Sequence, residues 1–128
     1  MDRAQTALEF KHSGSNCAQA VLLAFADEMG MEEQTLRQLG AAFGGGMGCM
    51  EATCGALCAA QMVLGRALFR GAPLAADART LLARFHAQTG AVRCRDLKGL
   101  GTGRPLCSCD DCVRIAAELV QQRLEESN

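Results

Sequence analysis

The stretch FGGGMGCMEATCGALCAAQMVLG, residues 43–65, decides how this chain folds. It opens on Gly44, Gly45, Gly46 and Gly48, positions without side chains that let a backbone turn through left-handed conformations or lie close against another group. It then becomes strongly apolar. From Cys54 to Leu68 the single charge is Arg66, so a helix here is predicted to be buried around most of its circumference rather than along one stripe. The spacing predicts an innermost helix from Cys54 to about Phe69, with Thr53 as N-cap and Gly71 and Pro73 as its stop. Cys49, Cys54 and Cys58 fall in the turn and first helical turns, and the four-residue step puts Cys54 and Cys58 on one face.

Working outward, residues 2 to about 12 read as a first helix ended by Ser13-Gly14-Ser15. Asn16 caps a second helix that runs to Gly30, with Cys17, Val21, Ala24 and Phe25 on its apolar face. A third starts at Glu32 and Glu33 and is carried by Leu36, Leu39 and Phe43. Beyond the central helix, a fifth runs from Pro73 to about Thr89 and a loop covers residues 91–107, with a single turn near Cys94 to Leu97. Ser108 caps the last helix. The reading is all-α: residues 1–128 form one helical bundle of five or six helices with a glycine-rich turn before the central one.

At 128 residues the chain can bury a core without disulfide staples, so its eight cysteines are not needed for folding. The net charge of −1 offers no basic field, which excludes nucleic acid as a partner. Residues 1–11 are charged and lack an apolar core, so no signal peptide is read and the chain is expected to be cytoplasmic. The uncharged stretch Ala52 to Gly65 is about 14 residues, too short for a membrane span, which needs about 20. In a reducing compartment structural disulfides do not persist, which points to metal ligation or redox chemistry.

The pairs Asn16-Cys17, Thr53-Cys54 and Ser108-Cys109 each place a cysteine directly after a capping residue. There a thiolate faces unpaired N–H groups and the positive helix end, so a lowered pKa is expected at all three. Cys107, Cys109 and Cys112 form a C-x-C-x-x-C run of soft ligands suited to iron–sulfur or zinc binding. Cys112 is the one most open to a purely packing role. Cys94 stands between Arg93 and Arg95, whose guanidinium groups are expected to favour a thiolate or the charge of a thiolate-bound cluster. His12 and His86 are solitary and are not read as ligands.

Taken together, Asn16-Cys17-Ala18, Phe43 to Gly48, Cys54-Gly55-Ala56, Met62 to Gly65, Cys94-Arg95-Asp96-Leu97 and Cys109 to Val113 resemble the C_GCAxxG_C_C family of redox-active proteins. The resemblance spans nearly the whole chain. It implies a small helical protein of anaerobic metabolism, related to a domain of split-Soret cytochromes, with iron–sulfur or thiol redox roles. The family cysteines fall on Cys17, Cys54, Cys94 and Cys109. Cys58, Cys49, Cys107 and Cys112 are additions to that pattern.

Two classes of function follow. In the first, an electron-transfer protein binds an iron–sulfur cluster through Cys17, Cys54, Cys94 and Cys109, with Cys49, Cys107 and Cys112 as further ligands. Gly44, Gly45, Gly46, Gly48 and Arg95 are then expected around the cluster. In the second, a metal-free oxidoreductase uses Cys54 as attacking thiol and Cys58 or Cys49 as resolving thiol. A zinc-stabilised bundle is the remaining alternative. A homodimer is expected in either case, from the apolar central helix and the resemblance. The most specific expectation is that the four family cysteines converge on one site.

Overall fold

A computed structural model describes residues 2–127. Among these residues all the extended secondary structure is helical: α1 (Arg3–His12), α2 (Cys17–Ala24), α3 (Ala26–Met29), α4 (Glu33–Gly40), α5 (Gly55–Leu68), α6 (Ala75–Thr89), α7 (Cys94–Lys98) and α8 (Cys109–Glu126). Six of these reach eight residues. The fold is all-α, as the sequence predicts. No helix among the described residues is long and apolar enough to cross a membrane.

The innermost element is α2, which corrects the expectation for the 54–69 segment. All of α2 except Gln19 is buried, and it packs against α1, α4, α5 and α8. Its alanines explain this, since Ala18, Ala20 and Ala24 let neighbours approach from several sides while Val21, Leu22 and Leu23 fill the space between. Helix α5 buries its N-terminal half and one face, leaving Arg66 exposed and Gln61, Met62 and Gly65 half-buried.

The predicted second helix is broken at Phe25 (φ −115°, ψ 29°) into α2 and α3. Arg3 stabilises the break: its Nη1 donates to the Ala24 carbonyl at 2.9 Å, an acceptor that a continuous helix would use internally. The same guanidinium pairs with Asp27 and lies over the Phe25 ring. Helix α6 begins at Ala75, so Pro73 lies before the helix rather than in its first turn.

Three local devices set the geometry at one end of the bundle. The Asn16–Gln19 capping box starts α2, and Asn16 Nδ2 also donates to the Gly40 carbonyl at 3.1 Å, tying α2 to the end of α4. Thr53 and Arg93 form an antiparallel bridge, with Cys54 N–H donating to Val92 O at 2.8 Å and Cys94 N–H to Ala52 O at 3.0 Å. Between α4 and α5, Gly45, Gly46, Met47, Gly48 and Met50 all have positive φ. This is a left-handed coil in which Met47 and Met50 each cost about 1–2 kcal/mol of backbone strain.

Candidate functional site

Four cysteines stand at helix starts. Cys17 is the first residue of α2 behind Asn16, Cys109 the first of α8 behind Ser108, and Cys94 the first of α7 behind Arg93. Cys54 is itself the N-cap of α5 rather than its first helical residue: its backbone is non-helical (φ −48°, ψ 129°) and its N–H bonds to Val92 across the bridge. Cys107 arrives from the loop, held against α7 by its N–H bond to Leu97 O at 3.3 Å. Cys112 lies one turn into α8, on the same face as Cys109.

These six cysteines line one small cavity of about 30 Å³, together with Gly45, Gly55, Leu97 and Lys98. The structure thus brings Cys17, Cys54, Cys94 and Cys109 together and adds Cys107 and Cys112. Cys112 is 2% exposed and lines the same cavity as the other five, with Cys54 and Cys107 beside it, so a purely packing role does not describe it.

The thiols neighbour one another in the order Cys109, Cys17, Cys54, Cys112, Cys107. Cys17 is held far below the ordinary thiol range, first by the thiols of Cys109 and Cys54 and further by backbone N–H groups of Gly45 and Ala18, against the opposing effect of burial. Cys112 is lowered mainly by the Cys54 thiol, with Cys107 adding to it. Cys54 is pushed up, because its proton serves Cys112 and Cys17 and burial disfavours its charge. Cys109 is raised by its bond to Cys17 and Cys107 by burial. These five thiols titrate together, so their protons belong to the group rather than to any one sulfur.

That result corrects two expectations. A helix start does not by itself yield a thiolate: of the three predicted, Cys17 is lowered while Cys54 and Cys109 are raised, because two sulfurs sharing an anion leave the proton on one. Cys94 is likewise raised, chiefly by burial. The nearby charge that favours its thiolate is Lys98, since Arg93 and Arg95 both pair with Glu51, at 2.6 and 2.9 Å.

The glycine run divides by role. Gly45 lines the cavity and donates to Cys17. Gly46 is buried against Cys94, where a Cβ would stand 2.6 Å from the Cys94 Cβ. Gly44 abuts Asn16, and Gly48 has open space around it. Cys49 and Cys58 lie outside the cavity lining: the Cys49 thiol is exposed and donates to Gly46 O at 3.6 Å, while Cys58 is half-buried and donates to Thr53 O at 3.9 Å. The sulfur partners of Cys54 are Cys17 and Cys112.

Sequence reasoning missed Lys98 and Glu51, and it quoted Gly55 without giving it a role at the site. A Cβ on Gly55 would lie 2.8 Å from the Cys17 sulfur, so the glycine after Cys54 makes room for the thiol chain. Glu51 clamps the arginines on both sides of Cys94. The signals were faint: one lysine four residues after Cys94 and one acid ahead of Thr53.

No three or more His, Cys, Asp or Glu among the described residues are arranged, as they stand, to hold a metal ion. The donor chemistry nevertheless fits a thiolate-ligated group, with six soft donors, backbone N–H groups and Lys98 around one cavity. A site of this class rarely stands fully formed without its metal, so the paired sulfurs would have to part to receive one.

An all-α bundle that gathers thiols from separate helix starts around one small cavity defines a class: a helical protein built on clustered cysteines. Comparison with family models places it within that class. The family described as "Putative redox-active protein (C_GCAxxG_C_C)" matches residues 15–123, and the chain belongs to it. Comparison with curated proteins brought no match, and neither did comparison with solved structures.

Proposed function

We propose that this protein is an electron-transfer protein whose cysteine cavity binds an iron–sulfur cluster. The observation that supports it is the enclosure of six cysteines, drawn from five separate segments, around one cavity. A dithiol exchanger needs two sulfurs and an approach for its partner; here Cys17, Cys54, Cys94 and Cys112 are each no more than 6% exposed. Cys17, Cys54, Cys94 and Cys109 would hold the cluster, and when bound it supplies one-electron transfer. The helix starts, Gly45 N–H and Lys98 offset negative charge, and the apolar bundle behind α2 and α5 keeps water from the sulfurs.

The test is purification without oxygen, followed by iron and sulfide analysis and a visible spectrum. With no Trp or Tyr, the chain leaves the near-ultraviolet almost clear. Stoichiometric iron and sulfide, lost when any of the four cysteines becomes alanine, is the expected result. Protein that stays colourless after reconstitution with iron and sulfide overturns the reading.

A second reading rests on the pairwise sulfur contacts. Two adjacent thiols, Cys17 and Cys54 or Cys54 and Cys112, would form a disulfide by giving two electrons to an oxidant and releasing the one proton that the pair shares. Mass mapping of the oxidised protein identifies such a pair. Association as a homodimer belongs to the same proposal, supported by the exposure of Leu39, Met47 and Phe69, and sedimentation at micromolar concentration tests it.

A further inference from the structure

A groove of about 530 Å³ lies beside the thiol cavity, between the end of α6, residues 90–93 and the loop 99–106. The two sites share α7. Cys94, Leu97 and Lys98 face the thiols, whereas Asp96, about 200° around the helix from both Cys94 and Lys98, lines the groove. The volume falls within the range of about 300–1,000 Å³ typical of small-molecule sites.

The lining combines cationic donors with an apolar wall. Arg104 has no ion pair and no side-chain hydrogen bond among the described residues. Arg93 commits Nε and Nη2 to Glu51 and keeps Nη1 uncommitted. Against these two guanidinium groups stands one carboxylate, Asp96. The backbone N–H groups of Gly101 and Thr102 meet no acceptor among the described residues. The apolar wall includes Val92 and Leu106, and Leu106 is 53% exposed.

The loop that carries these groups is built rather than loose. Gly103 N–H bonds to Gly99 O at 2.8 Å, Leu100 N–H to Arg95 O at 3.0 Å and Leu106 N–H to Leu97 O at 2.9 Å. Gly99, at φ +72°, is so tightly closed against Arg104 that a Cβ would stand 2.4 Å from its carbonyl carbon. The backbone that carries the arginine is therefore fixed at the edge of the groove, which lowers the ordering cost of binding.

We propose that this groove binds a small organic oxyanion, a carboxylate or phosphate monoester, with its charge on Arg104 and the free edge of Arg93 and its apolar body against Val92 and Leu106. Guanidinium groups suit both anions because their planar N–H pairs match two oxygens at once. The site does not depend on what the cysteines hold, and it brings its ligand within one helix of Cys94.

The experiment is titration calorimetry on the reduced, metal-free full chain with phenyl phosphate, phenylacetate and the neutral phenylacetamide. Saturable one-to-one binding of at least one anion is expected, with the amide at least tenfold weaker; the better anion identifies the headgroup. Arg104→Gln, confirmed folded by circular dichroism, is expected to weaken that anion at least tenfold. Absence of saturable binding by both anions, equal binding of the amide, or unaltered affinity in Arg104→Gln overturns the proposal. Because no metal is present, failure here is distinct from failure of the cluster reading.

Discussion

Replacing Gly55 by alanine tests whether the packing beneath the thiol chain is as tight as the geometry states. The added Cβ would lie 2.6 Å from the Phe43 carbonyl oxygen and 2.8 Å from the Cys17 sulfur. Ordinary contact between heavy atoms begins at about 3.5 Å, so the shortfall is roughly 0.9 Å against a backbone atom that cannot rotate away. Overpacking of this kind costs about 1–3 kcal/mol. Alanine recovers about 0.5–1 kcal/mol of backbone entropy, leaving a net loss of about 0–2.5 kcal/mol. Gly65 on the same helix supplies the control, since a Cβ there meets nothing within 4 Å. Gly65→Ala should therefore gain about 0.5–1 kcal/mol. Urea denaturation of the two reduced variants side by side should separate them by about 1–3 kcal/mol, with Gly55→Ala the weaker. If Gly55→Ala is as stable as Gly65→Ala, the close approach of α5 to Phe43 and Cys17 is wrong, and with it the reason for glycine after Cys54.

Three other outcomes are expected. Gly46→Ala combines left-handed backbone (φ +58°) with a clash on Cys94, and should lose about 2–4 kcal/mol in the same assay. Arg3 holds the Asp27 carboxyl below its usual range, so the pair's contribution, about 0.2–1 kcal/mol for an exposed pair, is present above the unfolded value near about 3.9 and is lost as pH falls through the lower folded value. The stability gap between wild type and Arg3→Gln should accordingly narrow in acid without closing, since the bond to Ala24 O persists. Timed alkylation of the reduced protein, read by mass spectrometry, should modify exposed Cys49 first and the buried Cys17, Cys54 and Cys112 slowly; early labelling of Cys17 would contradict its burial.

The helices were legible wherever local chemistry was decisive. Asn16 and Ser108 are caps in the structure as in the sequence, and Gly30 and Gly90 end their helices in left-handed geometry. The break at Phe25 was not legible, because it depends on Arg3, 22 residues earlier in the chain, taking a carbonyl from α2. The innermost role of α2 was hidden too. Hydrophobicity favoured the longer 54–69 segment, whereas what places α2 at the centre is the smallness of Ala18, Ala20 and Ala24. At the site, the spacing of cysteines suggested a common meeting point but could not say which sulfur would keep its proton. That depends on pairings between residues as distant as Cys17 and Cys109, and on the N–H of Gly45.

The cavity also has a history in time. Cys17 and Cys112 are 95 positions apart, and at about 5–20 residues per second of synthesis the first thiol leaves the ribosome about 5–20 s before the last. Over that interval Cys17 has no Cys109 to share a proton with, and Cys54 has no Cys112. Each sulfur is then an ordinary solvated thiol, open to whichever oxidant or metal it meets. The order in which the nascent chain presents its cysteines thus becomes part of the chemistry: any early partnership, such as Cys17 with Cys54, must remain reversible until α8 has docked and supplied the remaining sulfurs.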